Sequence, residues 1–470
     1  MKVEKEDGFA ENEGIEKIYQ RLRELEGAIL RIGCPEDLEV LEQEIMGLTN
    51  NLGALLLQKK LQAALDSDEQ QQKEAELIRA WPGRMKSEGY ETVYILTAGG
   101  FRIEVKVRYY RRSCHRRNNK RYKGVYGGLI LLGIHDRCTP GLAAMVSGWS
   151  ALLSSFEEVR QVLLEQGVVL GVKVIRKLAY RFADRARALQ QAGHIPLNDD
   201  ENLSGRRVVV STDGGRVRLR ENKRGPKTKK GRTRYNGEWR EPKLLIVYVV
   251  DAQGKLEKSF NPFIDGCIKG PAALFQMLES YLNTLCIQNA DKVLFVADGA
   301  RWIWTRIPGL VRSLGLNPKR VFELIDFYHA VEHLSNVASL RKAWSAKERK
   351  SWISKQRRLL LKGEGVSVVK AVKSICRGRN SKAIRRERNY FIRNERRLNY
   401  PLMKTLNLPI GSGGVESAVR RVINLRIKGP CIFWHKENAE RILLLRSYYK
   451  AGRWNCLKQM ANSHISLFEI

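Results

Sequence analysis

Three aspartates, each closing a short apolar run, are the side chains of this chain best placed for chemistry. Asp213 ends the run in RRVVVSTDGG (206–215), Asp298 the run in VLFVADGARWIW (293–304) and Asp326 the run in VFELIDFYHAVEHL (321–334). Runs this short and this β-branched or aromatic read as buried strands, and a parallel α/β sheet builds its sites at the carboxyl ends of its strands. Carboxylates converging there can hold two divalent cations about 3.5–4 Å apart, one activating an attacking oxygen and one steadying a leaving oxygen in phosphodiester transfer. Oxygen donors of this kind suit Mg²⁺, with Mn²⁺ tolerated. Asp213 and Asp298 are each followed by glycine, as DGG and DGA, and a glycine there is expected to let metal and phosphate approach closely. Glu416 opens a helix-like run after Gly-Ser-Gly-Gly and is expected to reach the same spot from the side.

Each of these residues also has a plainer role. A strand-end Asp often caps the next helix, and a Glu in a first helical turn complements the macrodipole. For Asp326 capping is the favoured role, with His329 three residues on facing the site. His329, Glu332 and His333 also spell H-x-x-E-H, a zinc-hydrolase pattern. A zinc hydrolase needs neither the strand-end aspartates nor so basic a chain, so no zinc is expected. A zinc site from Cys114, His115 and Cys138 lacks suitable spacing and a fourth ligand. For Trp302 and Trp304 packing is the default, and stacking on a displaced base the alternative.

The elements that position these groups follow from periodicity. Strands are expected at 208–213, 243–250 and 255–260, a helix near 271–286, then the two later aspartate runs. The fold class is therefore multidomain α/β: a mixed βββαβαβα sheet with an all-α insertion, preceded by helical, β-ribbon and helix-turn-helix segments. The expected boundaries are a helical segment at 1–85, a basic β-ribbon at 86–138 and a helix-turn-helix at 139–193. A polar linker follows, then the catalytic core at 206–334 and 409–454 around a helical insertion at 335–408, and a tail at 455–470. On the helical segment Leu38, Leu41, Ile45, Leu48, Leu52 and Leu55 form a seam compatible with dimerisation or a small bundle. On the ribbon, Phe101, Ile103, Val105, Val107 and Tyr109 share one face, with basic residues on the other.

Charge points to a polyanionic partner, with a merely solvated basic surface as the alternative. The 470 residues carry a net +34, yet residues 1–80 hold 10 Lys/Arg against 18 Asp/Glu, leaving +42 on the rest. That excess points to nucleic acid. In the last helix of 139–193, Lys173, Arg176, Lys177 and Arg181 lie away from an apolar stripe and are expected to face DNA. So are Lys223, Arg224, Lys227, Lys229 and Lys230 on a basic hairpin arm (216–234), and Arg420, Arg421 and Arg426 after Glu416. The eight cysteines form no C-x-x-C pair, the N-terminus MKVEKEDGFAENEG shows no signal peptide, and no apolar run nears the roughly 20 residues of a membrane span. Reduced thiols, no membrane association and a cytoplasmic location, nucleoid-associated if bacterial, are expected.

STDGG (211–215), VADGARWIW (296–304), LIDFYHAVEHL (324–334) and GSGGVES…RIKG…FW (411–434) together resemble the DDE transposases of the ISKra insertion-sequence family, related to ISLre-type and Mutator-like transposases. The resemblance implies an RNase H-like core interrupted by a helical insertion before the final Glu, which fits the 118 positions between Asp298 and Glu416. It also implies that Asp213, Asp298 and Glu416 form the catalytic triad, and that Asp326 and His329 form the D-x-x-H element. It assigns no role to Arg426 or Trp434. Similar proteins carry a cysteine-pair knuckle after the ribbon, whereas here Arg117 stands three positions after Cys114. The implied activity is binding of double-stranded DNA at terminal inverted repeats, Mg²⁺-dependent strand cleavage and strand transfer into target DNA, by a homo-oligomer in the synaptic complex. The alternatives are a non-catalytic DNA-binding repressor derived from such an enzyme, and an RNase H-like nuclease.

Overall fold

The computed structural model describes residues 6–27, 32–112, 124–379, 381–430 and 432–463. The chain divides into two compact units, residues 1–192 with 458–470, and residues 193–457. Among the described residues no helix is long and apolar enough to cross a membrane. Cys114, His115 and Arg117 lie outside the described residues.

The first unit contains helices α1 (Glu6–Gly27), α2 (Pro35–Asp66) and α3 (Asp68–Ala80), strands β1 (Met85–Leu96) and β2 (Arg102–Arg112), then α4 (Gly127–Leu131), α5 (Pro140–Leu152), α6 (Phe156–Glu165) and α7 (Val172–Gln191). Gly47 and Gly53 do not interrupt α2, along which α1 packs, tied by Arg21 to Glu44 at 2.7 Å. Of the leucine seam, Leu38 and Ile45 stay exposed, and the other four side chains are half-buried.

β1 and β2 form an antiparallel ribbon whose alternation buries Ile103, Val105 and Val107. The expected alternation slips near its end: β1 is irregular between Ser87 and Tyr90, and Tyr110 rather than Tyr109 is the buried ring. Gln58 and Gln62 of α2 accept the backbone N–H groups of Glu104 (2.9 Å) and Lys106 (2.8 Å), which closes part of the edge of β2 to further strands. α5, α6 and α7 pack around Leu142, Val146, Val159, Leu163, Ile175 and Leu178, with Thr139 and Ser155 capping the first two.

The second unit is built on a five-stranded mixed sheet. Its strands are β3 (Arg207–Gly214), then, after a two-stranded arm of β4 (Val217–Asn222) and β5 (Tyr235–Arg240), β6 (Lys243–Val250), β7 (Phe263–Cys267), β8 (Lys292–Ala297) and β9 (Val321–Ile325). The order is β7-β6-β3-β8-β9, with β3, β8 and β9 mutually parallel and β6 antiparallel to both of its neighbours. β6 and β7 are buried throughout, which is why they read as unbroken apolar runs.

The third strand is β7, not the expected 255–260. The alternation of KLEKSF looks like a strand, yet Leu256 makes a single bridge to Val250. Asp251 turns the chain just before it, accepting the N–H groups of Gln253 and Lys255 at 2.9 and 2.8 Å, with Gly254 at φ 79°.

α8 (Pro271–Thr284) crosses from β7 to β8. Short helices α9 (Arg301–Trp304) and α10 (Ile307–Ser313) lead to β9, and α11 (Phe327–Ser339) follows it. The segment expected as an insertion is helical: α12 (Ala346–Leu361), α13 (Gly365–Cys376), α14 (Lys382–Asn394) and α15 (Tyr400–Thr405). α16 (Gly413–Val419) then packs on β3 and β6, and α17 (Lys436–Lys450) on β7. After Val419, α16 widens into a π-helical turn over Arg420–Asn424. Such turns cluster near functional sites. α18 (Trp454–Asn462) follows.

Candidate active site

The parallel pairing sets the level of the three aspartates. Arg207 pairs with Lys292 and Val210 with Phe295, an offset of 85 that also separates Asp213 from Asp298. Val293 pairs with Val321 and Ala297 with Ile325, an offset of 28 that also separates Asp298 from Asp326. All three aspartates therefore leave adjacent strands at one height. The Ser211 hydroxyl donates to the Val296 carbonyl at 2.6 Å and pins β3 to β8 just below them.

Asp326 is fully buried and is the N-cap of α11, accepting the His329 N–H at 2.8 Å. Its second oxygen accepts the backbone N–H of Ser412, and the Phe327 N–H donates to the Ile410 carbonyl at 3.0 Å. These bonds tie the GSGG loop to the start of α11 and deliver Glu416, in the first turn of α16, beside His329. His329 Nδ1 lies 3.4 Å from Asp326 Oδ1 and 3.7 Å from Glu416 Oε1. Ligand atoms of Asp326, His329 and Glu416 all fall within 4.8 Å of one another, a group able to hold a metal ion. The Glu416 side chain is half exposed.

Charge is concentrated here. Burial, with the Asp298 and Glu416 carboxylates adding to it, pushes Asp213 up to about 6 against the Gly214 N–H and His329. Asp298 is raised by burial and by Glu241, with the Ala300 N–H, His329 and His333 opposing. Burial would raise Asp326 too, but hydrogen bonds from His329 and Ser412 outweigh it and hold it at about 2. His329 is raised to about 9 by the Asp326 carboxylate, against burial and with help from Asp298 and Glu416. The imidazolium is thus a cation placed among carboxylates. Asp213, raised in part by the neighbouring Asp298 and Glu416 carboxylates, fits a hard divalent cation by donor chemistry.

The glycines after the aspartates do not leave open space for phosphate. A Cβ on Gly214 would lie 2.0 Å from Glu241 Oε1, and one on Gly299 would lie 2.0 Å from the Tyr390 ring. These glycines make room for the protein's own side chains. Tyr390 belongs to α14 and stacks on His333 at 3.6 Å, and His333 Nδ1 is 2.5 Å from Glu387. The two imidazoles of the H-x-x-E-H pattern therefore engage different carboxylates.

Other side chains pack around the aspartates. Trp304 is buried, and its indole N–H donates to the Asp298 carbonyl at 2.7 Å while Arg397 covers the ring at 4.6 Å. Trp302 is half-buried, edge-on to Phe275 with Lys243 Nζ 4.4 Å above it, so both tryptophans pack. The GSGG turn marked Ser412 in the sequence. Nothing there marked Glu241, Glu387 or Tyr390.

Among the basic residues, Lys173 and Arg176 are exposed on α7, whereas Lys177 (3.3 Å) and Arg181 both pair with the nearly buried Asp136. Lys223, Arg224, Lys227, Lys229 and Lys230 are exposed in the turn of the β4–β5 arm. Arg420 is exposed, and Arg421 leans on the Ser417 and Lys450 carbonyls at 3.4 and 3.3 Å. Arg426, expected to face DNA, is buried at 4 % exposure with its guanidinium 5.2 Å from the Trp434 ring. Its role here is packing.

The sequence matches no family model and no curated protein. Among solved structures, the chain is similar to one in the Drosophila P element transposase strand transfer complex, at 10 % identity over 68 % of this chain and 80 % of that one, with a TM-score of 0.24.

Proposed function

We propose that this protein is a DNA transposase with an RNase H-like catalytic core, akin to the ISKra family, that cleaves the ends of its element and joins them to target DNA. One observation carries the reading: three aspartates end adjacent strands at one level, and Glu416 enters beside them, inside a chain of net charge +34. The sheet order, with its one reversed strand, supports the same core.

In this reading Asp213, Asp298 and Glu416 hold divalent ions, Mg²⁺ or in its place Mn²⁺, whose chemistry is to activate the attacking oxygen and steady the leaving one. Asp213, at about 6, is ionised at neutral pH and ready to bind a cation. Asp326 and His329 act as positioning residues. Asp326 fixes the loop that brings in Glu416, and the His329 imidazolium offsets acidic charge that would otherwise push the carboxylates apart. α14 braces the Asp298 loop through Tyr390. The exposed cations of α7 and of the arm bind phosphates, and two copies of the chain bring two element ends together.

The test uses duplexes ending in the inverted repeats that flank the gene. Asp298→Ala should abolish Mg²⁺-dependent cleavage and leave end binding within about threefold, a change of less than 1 kcal/mol. Retained cleavage refutes the triad. Cleavage by the wild-type protein without joining, and without preference for the repeats, favours a nuclease instead.

A further inference from the structure

The β4–β5 arm carries more than positive charge. In its register Arg218 faces Trp239, Arg220 faces Gly237 and Asn222 faces Tyr235, and alternation puts all six positions on one face. Arg218 lies 4.6 Å from the Trp239 ring and 5.6 Å from Phe433, and Arg220 lies 5.9 Å from Tyr235. Phe433 and Tyr235 are 5.3 Å apart. Gly237 leaves the gap that Phe433 occupies, since a Cβ there would lie 3.2 Å from its ring. The result is a strip of alternating rings and guanidinium groups.

This strip is fixed in place yet open to solvent. On its opposite face Val217 and Leu219 are buried, anchoring the base of the arm. The backbone of Trp434 pairs with β4, donating to the Arg218 carbonyl at 3.0 Å and accepting the Arg220 N–H at 2.8 Å, which holds Phe433 in place. Tyr235 and Trp239 nevertheless remain 44 % and 50 % exposed. Among the described residues neither Arg218 nor Arg220 has a carboxylate in ion-pair range, and the Arg220 Nε is buried without a hydrogen-bond partner. Exposed rings flanked by unpaired cations suit bases that stack and phosphates that follow them.

We propose that this face binds single-stranded DNA, with unpaired bases stacking on Tyr235 and Trp239 and Arg218 and Arg220 contacting the backbone. The inference rests on the DNA reading above and extends it from duplex to unpaired strand. The two rings are four residues apart on one strand, roughly 13 Å, so each takes a separate base. A fully paired duplex has its bases stacked inside and offers the rings nothing.

The probes are a fluorescein-labelled oligothymidylate of about 15 nucleotides and a blunt mixed-sequence duplex, followed by anisotropy with the full chain. Tyr235→Ala and Trp239→Ala should each weaken oligothymidylate binding by about 5- to 150-fold, the range of one lost stacking contact, and change duplex binding by less than about threefold. Trp239→Phe keeps a ring and should retain most of the affinity, which separates stacking from misfolding. With the wild-type protein alone, 2-aminopurine placed within the single strand should be quenched on binding. Equal losses on both probes, no loss on the single strand, or unquenched 2-aminopurine overturns the proposal. Binding to the duplex without binding to oligothymidylate overturns this inference alone, and binding to neither overturns the DNA reading itself.

Discussion

Asp213→Asn should make the metal-free protein more stable while destroying its activity. Asp213 titrates at about 6 in the fold, against an ordinary 3.8. At 1.36 kcal/mol per pKa unit, holding it ionised costs the folded state on the order of 3 kcal/mol. Asparagine can still accept the Gly214 N–H, now at 2.6 Å from Asp213 Oδ1. It must still bury an amide, so the net gain is roughly 1–2 kcal/mol, or a rise in Tm of roughly 2–8 °C for a unit of this size. The sign follows from linkage. A carboxyl whose folded pKa is raised binds its proton more tightly when folded, so the penalty is absent below about 3.8, grows between 3.8 and 6, and is complete above 6. Thermal melts in chelator should therefore place Asp213→Asn above the wild-type protein at about pH 7.5 and below it near pH 4, where the penalty has gone and the cost of the buried amide remains. Divalent cation should raise the Tm of the wild-type protein with concentration and that of Asp213→Asn much less. A lower Tm for Asp213→Asn at both pH values, or equal metal increments in both proteins, would refute the idea that these carboxylates form a charge-strained cation site.

Two further outcomes test how the site is held. Gly299→Ala would drive a Cβ into the Tyr390 ring, 2.0 Å away, and should cost about 1–3 kcal/mol in chemical denaturation. Combining it with Tyr390→Ala should give a smaller total than the sum of the two losses, and strict additivity would show that the ring does not brace the Asp298 loop. Asp326 sits at about 2, below its ordinary 3.8. Its contribution is therefore complete above 3.8 and lost as pH falls toward 2. Asp326→Ala should lower the urea midpoint by an amount equivalent to about 1–3 kcal/mol at neutral pH, and the gap should close on acidification through that window. A gap that persists to pH 2 would mean the carboxylate is not what ties Ser412 to α11.

How much of this was legible in the sequence depended on distance along the chain. Asp213, Asp298 and Asp326 could be read because buried parallel strands announce themselves as apolar runs, and the residue that ends each run is local to it. That they stand at one level comes from the pairing offsets of 85 and 28, which no local pattern carries. The third strand was missed because KLEKSF alternates while PFIDGC does not, and burial on both faces erases alternation. The glycines show the limit most clearly. DGG and DGA were visible, and an open approach for phosphate was the natural inference. Their space is instead filled by Glu241 and Tyr390, and Tyr390 lies 91 positions beyond Gly299. The arm repeats the lesson. Its lysines and arginines were plain from composition, but its stacking face depends on Phe433, almost 200 positions after Tyr235, and on a glycine whose purpose appears only once that ring is in place. A site assembled from distant segments therefore exposes its charged groups to sequence reading and conceals the residues that aim them, so substitutions at Tyr390, Trp304 and Gly237 probe this architecture more sharply than further changes to its cations.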